Sequence, residues 1–125
     1  MRGFIAGTPK VYLSGAMEYV ADGGADWRER VEKTLGHAGL DTFNPCVQGP
    51  EILSRMGLNV ESYHSLKYGT SADFSRFQEI TNMFIDLDLA ELRTSHIVLA
   101  KLCSKGSGGT AGELTVARHL GIPVV

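Results

Sequence analysis

Residues 96–121 read HIVLAKLCSKGSGGTAGELTVARHLG, and this stretch decides the fold class. His96 to Leu102 is nearly continuously apolar at its centre, as a strand buried on both faces is. Ser104 to Gly109 is a Gly/Ser loop. Thr110 to Leu120 sets Leu114, Ala117 and Leu120 at helical spacing, and Gly121 supplies a stop. Ile122 to Val125 then begins a fourth strand. Strand, glycine loop, helix and strand in that order make the unit of a parallel sheet, because parallel neighbours need a crossover connection.

Upstream, the same alternation repeats. Lys10 to Ser14 (KVYLS) is a short strand that stops at Gly15. A Gly- and Asp-rich loop runs to Ala25. Asp26 reads as an N-cap with Glu29 closing a capping box. Trp27, Val31, Leu35 and Ala38 then predict a helix over Asp26 to His37, ended by Gly39. Thr42 to Asn44 is a second strand, stopped by Pro45. Pro50 suits the first turn of a short helix through Met56. Asn59 to Thr70 has no clear period and reads as a loop or flap. Ser71 caps a helical stretch from Ala72 to about Leu92, with Phe74, Phe77, Ile80, Phe84, Leu87 and Leu92 on its apolar face and a break near Thr81–Asn82. The expected fold is α/β, an open doubly wound parallel sheet of the flavodoxin/Rossmann-like kind, strand order 2-1-3-4, with right-handed crossovers. A fifth strand is either absent or supplied elsewhere. Residues 1–125 are expected to form one domain.

The chain has 125 residues, 43% hydrophobic and 21% charged, a globular balance that excludes intrinsic disorder. Twelve Lys+Arg against fourteen Asp+Glu give a formal net charge of -2, which excludes a general coat for a nucleic-acid polymer. Cys46 and Cys103 make neither a CxxC pair nor a zinc spacing. No spacing suggests a metal site, and no cofactor is implied. No run approaches the roughly 20 apolar residues of a membrane span. The N-terminus lacks a signal-peptide core. The expected setting is a reducing cytoplasm, with no membrane partner.

In open parallel sheets, ligands gather at the carboxyl ends of the strands beside the switch in strand order. That rim collects Ser14 and Gly15 after the first strand, Asn44 after the second, Ser107, Gly108 and Gly109 before the last helix, and the loop carrying Tyr63, His64 and Tyr68. Glycines let a backbone approach a ligand, and a helix start offers unpaired N–H groups to an anion. On the residues alone Glu113 has two readings. One is a capping box with Thr110; the other is a carboxylate available for chemistry. Tyr12 is likewise either a core strand aromatic or a hydrogen-bonding group, and Ser107 either a loop serine or a ligand.

The stretches Tyr12-Leu-Ser-Gly-Ala-Met17, Asp26-Trp-Arg28, Phe43-Asn-Pro45, Asp88-Leu89 before His96-Ile-Val-Leu99, Ser107-Gly-Gly-Thr-Ala-Gly-Glu113, Ala117 and Gly121-Ile-Pro-Val124 carry a resemblance. In order and spacing the chain resembles the nucleoside 2-deoxyribosyltransferase-like superfamily, including its nucleoside 5′-monophosphate N-glycosidase branch. Residues 46–80 match none of these stretches. The resemblance implies that Glu113 is the nucleophile, attacking C1′ of the sugar to form a glycosyl–enzyme ester. It implies that Tyr12 orients that carboxylate and that Asp88 contacts the leaving base, with Asp86 a nearby rival. A carboxylate at a helix start would be kept ionised by the dipole.

Two departures stand out. Transferases often carry an aspartate six residues before the nucleophile; here that position is Ser107, as in the monophosphate-hydrolysing branch, where a serine helps hold the 5′-phosphate. His96 stands where the family commonly has Asp, and reads as structural or as a group titrating near neutral pH. His64, Tyr63 and Tyr68 are either a base-stacking surface or loop aromatics. Arg28 and Arg30 read as solvated helix charges, with Arg28 able to lean toward Gly15. His37 and His119 read as dipole partners at helix ends. The expected activity is cleavage of the N-glycosidic bond of a (deoxy)nucleoside or its 5′-monophosphate, with transfer to a base or to water. The alternatives are a non-catalytic nucleotide-binding or sensing module and a flavodoxin-like part of a larger assembly. The resemblance also implies a homodimer or higher homo-oligomer.

Overall fold

Lys10–Gly15 forms β1, with every residue after Lys10 buried. Strands with neighbours on both edges and cover on their faces need such sequences. The structure, a computed structural model, describes residues 7–17, 22–68, 72–102 and 108–125. In chain order β1 is followed by α1 (Ala25–His37), β2 (Asp41–Phe43), α2 (Pro45–Arg55), α3 (Val60–Ser65), α4 (Phe74–Arg93), β3 (Ile97–Lys101) and α5 (Gly108–His119). The sheet is parallel and three-stranded, in the order β2-β1-β3. In register, Tyr12 sits opposite Phe43 on one side and Val98 on the other.

The fourth strand expected over Ile122 to Val125 is not formed among the described residues. That segment makes one isolated parallel bridge, Val98 with Val124. Val98 and Ala100 donate to the Pro123 and Val125 carbonyls at 2.9 and 2.8 Å. One bridged pair gives too short a ladder to count as a strand.

Contacts divide the chain into two compact units, one of Met1–Asn44 with Leu89–Val125 and one of Pro45–Asp88. The first, the sheet unit, has a core of Tyr12, Phe43, Leu92, Val98, Ala117 and Ile122. Each large apolar side chain buried this way contributes about 1.5–3 kcal/mol. The Tyr12 and Phe43 rings stack with centroids 5.3 Å apart. At the opening of the sheet, the Lys10 N–H donates to His96 Nδ1 at 3.0 Å and the His96 N–H donates to the Lys10 carbonyl at 2.9 Å. His96 is therefore a structural clip between β1 and β3.

The Pro45–Asp88 unit departs most from the sequence reading. α2 starts at Pro45 rather than Pro50, and runs through Pro50. Pro45 takes the first helical position, where a missing N–H costs nothing. Residues 60–65 are helical, not loop. Asn59 caps them by accepting from the Ser62 N–H at 2.8 Å, while Ser62 Oγ accepts from the Asn59 N–H at 2.8 Å. α4 is continuous through Thr81 and Asn82. Its cap is Asp73, which accepts from the Arg76 N–H at 3.1 Å; Ser71 lies outside the described residues. Leu53, Leu66 and Ile80 form the unit's core, with Leu58, Tyr63, Phe77 and Phe84 packed against it.

Candidate functional site

The site grows from the carboxyl end of β1. Alternation along a strand puts Tyr12 and Ser14 on the same face. Both are fully buried, and both hydroxyls point at one carboxylate. Tyr12 Oη donates to Glu113 Oε2, and Ser14 Oγ donates to Glu113 Oε1 at 2.8 Å. Each carboxylate oxygen therefore has its own hydroxyl donor, which fixes the plane of the group as well as its position.

α5 begins at Gly108, so Glu113 is its sixth residue and Thr110 lies inside the helix. The capping box of Thr110 with Glu113 does not form, because a cap must stand outside the first turn. The dipole argument also changes, since that field fades beyond the first turn. Burial dominates instead and raises the Glu113 pKa above the ordinary value of 4.5; the hydrogen bonds from Tyr12 and Ser14 and the charge of Arg28 pull the other way.

Arg28 takes the second of its two expected readings and leans toward Gly15. It is 1% exposed, not a solvated helix charge. Its Nε donates to the Leu13 carbonyl at 3.3 Å, Nη1 to the Gly24 carbonyl at 2.9 Å and Nη2 to the Gly15 carbonyl at 2.7 Å. Its guanidinium also lies 4.8 Å from the centre of the Trp27 ring. One planar fork thus ties the start of α1 to the end of β1. Arg30 does remain outside, paired with Asp26 at 2.8 Å.

Asp22 has no counterpart in the sequence reading. Its carboxylate accepts from the Gly24 and Asp26 N–H groups at 2.9 and 2.8 Å, taking over the capping expected of Asp26. Those backbone bonds hold its pKa below the usual carboxylate range. The helix itself is preceded by Gly24 in the left-handed region, at φ 80°. Arg28 Nη1 and the Ala16 carbonyl would both lie under 3.0 Å from a Cβ there. Gly15 is constrained for another reason: a Cβ would stand 2.8 Å from Trp27 Cζ2.

The other expected site residues are placed as follows. Asn44 is buried immediately after β2. Gly108 and Gly109 open α5 and are exposed. Ser107, the proposed phosphate contact, lies outside the described residues, as does Cys103. Asp88 is a half-buried position on α4, the last residue of the Pro45–Asp88 unit.

In that same unit Tyr63 is committed to packing. Its ring stacks on Phe77 at 5.0 Å and meets Phe84 edge-on at 5.7 Å, and its hydroxyl lies 2.5 Å from Thr81 Oγ1. His64 and Tyr68 are exposed and line a shallow groove with Val60, Glu61 and Ser65. Among the described residues no three His, Cys, Asp or Glu side chains gather to hold a metal. No helix among them is long and apolar enough to cross a membrane. Comparisons with models of known protein families and with curated proteins return no match to this chain.

Proposed function

We propose that this chain cleaves the N-glycosidic bond of a (deoxy)nucleoside or nucleoside 5′-monophosphate, with Glu113 as nucleophile. One observation carries the reading: a mostly buried carboxylate gripped on both oxygens by the Tyr12 and Ser14 hydroxyls, beside the carboxyl end of a parallel strand. Ligands of open parallel sheets bind at such ends. A carboxylate fixed in this way can present a lone pair to C1′ without reorganising.

In the first step a Glu113 oxygen bonds to C1′ as the C1′–N bond breaks, and the base leaves with the electron pair and takes up a proton. The product is a glycosyl ester of Glu113. In the second step a base nitrogen or a water oxygen displaces the carboxylate at C1′. The two hydroxyl donors stabilise the carboxylate as it is released. Ser14, expected to touch substrate, takes a different role in this scheme, because its hydroxyl is already engaged with Glu113. The substrate contact falls to the exposed Gly108 and Gly109 backbone and to Ser107, the group that would favour a 5′-phosphate.

The wider reading is a doubly wound Rossmann-like sheet in which the segment 122–125 serves as the fourth strand. It places the chain in the cytoplasm as a homo-oligomer, and the exposed Phe74, Ile85 and Leu87 on α4 support the association. Incubation with a panel of nucleosides and 5′-monophosphates, with chromatography for free base, tests the activity. Released base that depends on Glu113 is the expected result; no base from any member of the panel rejects it. Light scattering that finds only the 13.5 kDa protomer at micromolar concentration rejects the oligomer.

A further inference from the structure

Arg28 is the largest fully buried side chain among the described residues. A guanidinium stays charged at any ordinary pH, and burying it costs far more than burying a neutral side chain of its volume. Among the described residues, hydrogen bonds to the Leu13, Gly15 and Gly24 carbonyls help to offset that cost, and their arrangement is informative. Leu13 and Gly15 flank Ser14 in sequence, and Arg28 holds the carbonyls of both. Ser14 in turn donates to Glu113 Oε1 at 2.8 Å. The chain of contacts from guanidinium to carboxylate therefore runs through three consecutive residues of β1, Leu13 to Gly15.

We propose that Arg28 is a positioning residue for the Glu113 carboxylate: it clamps the strand end that carries Ser14 and keeps a permanent positive charge on that strand end. Its effect on turnover rests on the glycosidase reading, whereas its effect on the carboxylate does not. A structural arginine would need only its hydrogen bonds; a positioning arginine also needs its charge. Among the described residues, the groups that face Glu113 come from two elements. β1 supplies the Tyr12 phenol and the Ser14 hydroxyl, and α1 supplies Arg28. Lys101, at the end of β3, is directed over the Trp27 ring at 6.0 Å. The basic groups of α5 itself, Arg118 and His119, stand in its last turn.

The test separates charge from shape with Arg28→Gln, which keeps amide donors without charge, and Arg28→Lys, which keeps charge without the fork. Two readouts are needed: carbon NMR titration of the labelled Glu113 carboxyl, and the pH profile of base release. In Arg28→Gln the carboxyl is expected to titrate at higher pH than in the wild type. The loss of turnover is then several-fold greater at about pH 5 than at about pH 8. In Arg28→Lys the titration stays near the wild-type position while turnover falls through lost alignment. A folded Arg28→Gln protein whose Glu113 titrates as in the wild type overturns the proposal. If Arg28→Gln does not fold, wild-type turnover in Arg28→Lys overturns it, and reduced turnover with an unmoved titration supports it. If the wild-type protein releases no base, the glycosidase reading fails, and the Arg28→Gln titration still decides the role of Arg28.

Discussion

In the sheet unit, the buried positions include Ser14, Arg28, Asn44, Ser95 and Thr110 beside Tyr12, Leu13, Leu92 and Val98. In the Pro45–Asp88 unit, the core is Leu53, Leu66 and Ile80 with aromatic neighbours. Among the described residues, every buried polar side chain falls in the first unit. Polar groups are expensive to bury unless their partners are fixed. A fold that buries a tyrosine hydroxyl, a serine, a guanidinium and most of a glutamate around one strand end is holding groups in place. A fold that buries leucine and isoleucine is only packing. The candidate chemistry therefore belongs to the sheet unit, and the contrast can be attacked from either side.

The strongest test is Glu113→Gln. Base release should fall on the order of a thousandfold or more, as removal of a nucleophile does. Stability should move the opposite way. The Glu113 pKa is raised by burial, so the folded state holds its proton more tightly than the unfolded state. Stability from this group is present below the unfolded value of about 4.5 and declines as pH rises through the raised folded value. Glu113→Gln removes that decline, and its melting temperature at neutral pH should exceed that of the wild type. A variant with lower melting temperature and normal turnover would turn the polar cluster into scaffolding.

Next comes Tyr12→Phe. The ring still stacks on Phe43, so stability should change little. The loss of one preorganised donor should lower turnover about a hundredfold. The acid limb of the pH profile should move up, because a bond that favours the ionised carboxylate is gone. Unchanged turnover would make the Tyr12 hydroxyl a passive contact.

On the packing side, Ile80→Ala should cost about 2–5 kcal/mol in urea unfolding, since it opens a cavity in the small core of the Pro45–Asp88 unit. The smallest effect is expected from Asn59→Ala, about 1 kcal/mol for a lost cap. Hydrogen exchange should report it as faster exchange over residues 60–65. Equal protection in both proteins would mean that α3 is held by packing and not by its cap.

The legible parts of this chain were those with a repeating physical signal. β1, β3 and the later turns of α1 and α5 declare themselves through apolar runs and helical spacing. α3 gave no such signal, because six residues hold too few turns for a period. Its one mark was Asn59 with Ser62, a capping pair in which serine replaces the usual Glu or Gln. Pro45 was read only as the stop of the second strand, yet it is also the helical start expected of Pro50. Thr81 and Asn82 suggested a break by propensity, but packing along α4 overrides so weak a preference.

In the site, Tyr12, Glu113 and the contact between them could be expected, while the Ser14 bond to the same carboxylate could not. The start of α5 lies two residues before the expected one, which moves Glu113 away from the dipole and into burial. Arg28 was half legible. Within Asp26-Trp-Arg-Glu-Arg30 it looks like one more surface charge, but its place along the helix lets it lean toward Gly15. The tertiary fold selects that lean for Arg28, while Arg30 stays 73% exposed.

The indole over Gly15 has a consequence for inheritance. A methyl group at position 15 would stand 2.8 Å from Trp27 Cζ2 and 3.3 Å from the Lys101 carbonyl. Backbone on one side leaves the ring as the part that must yield. Positions 15 and 27 are therefore tied as a pair: alanine at 15 requires the Trp27 ring to shift, and a smaller residue at 27 removes that demand. The coupling is one of volume, whatever the chain is selected to do.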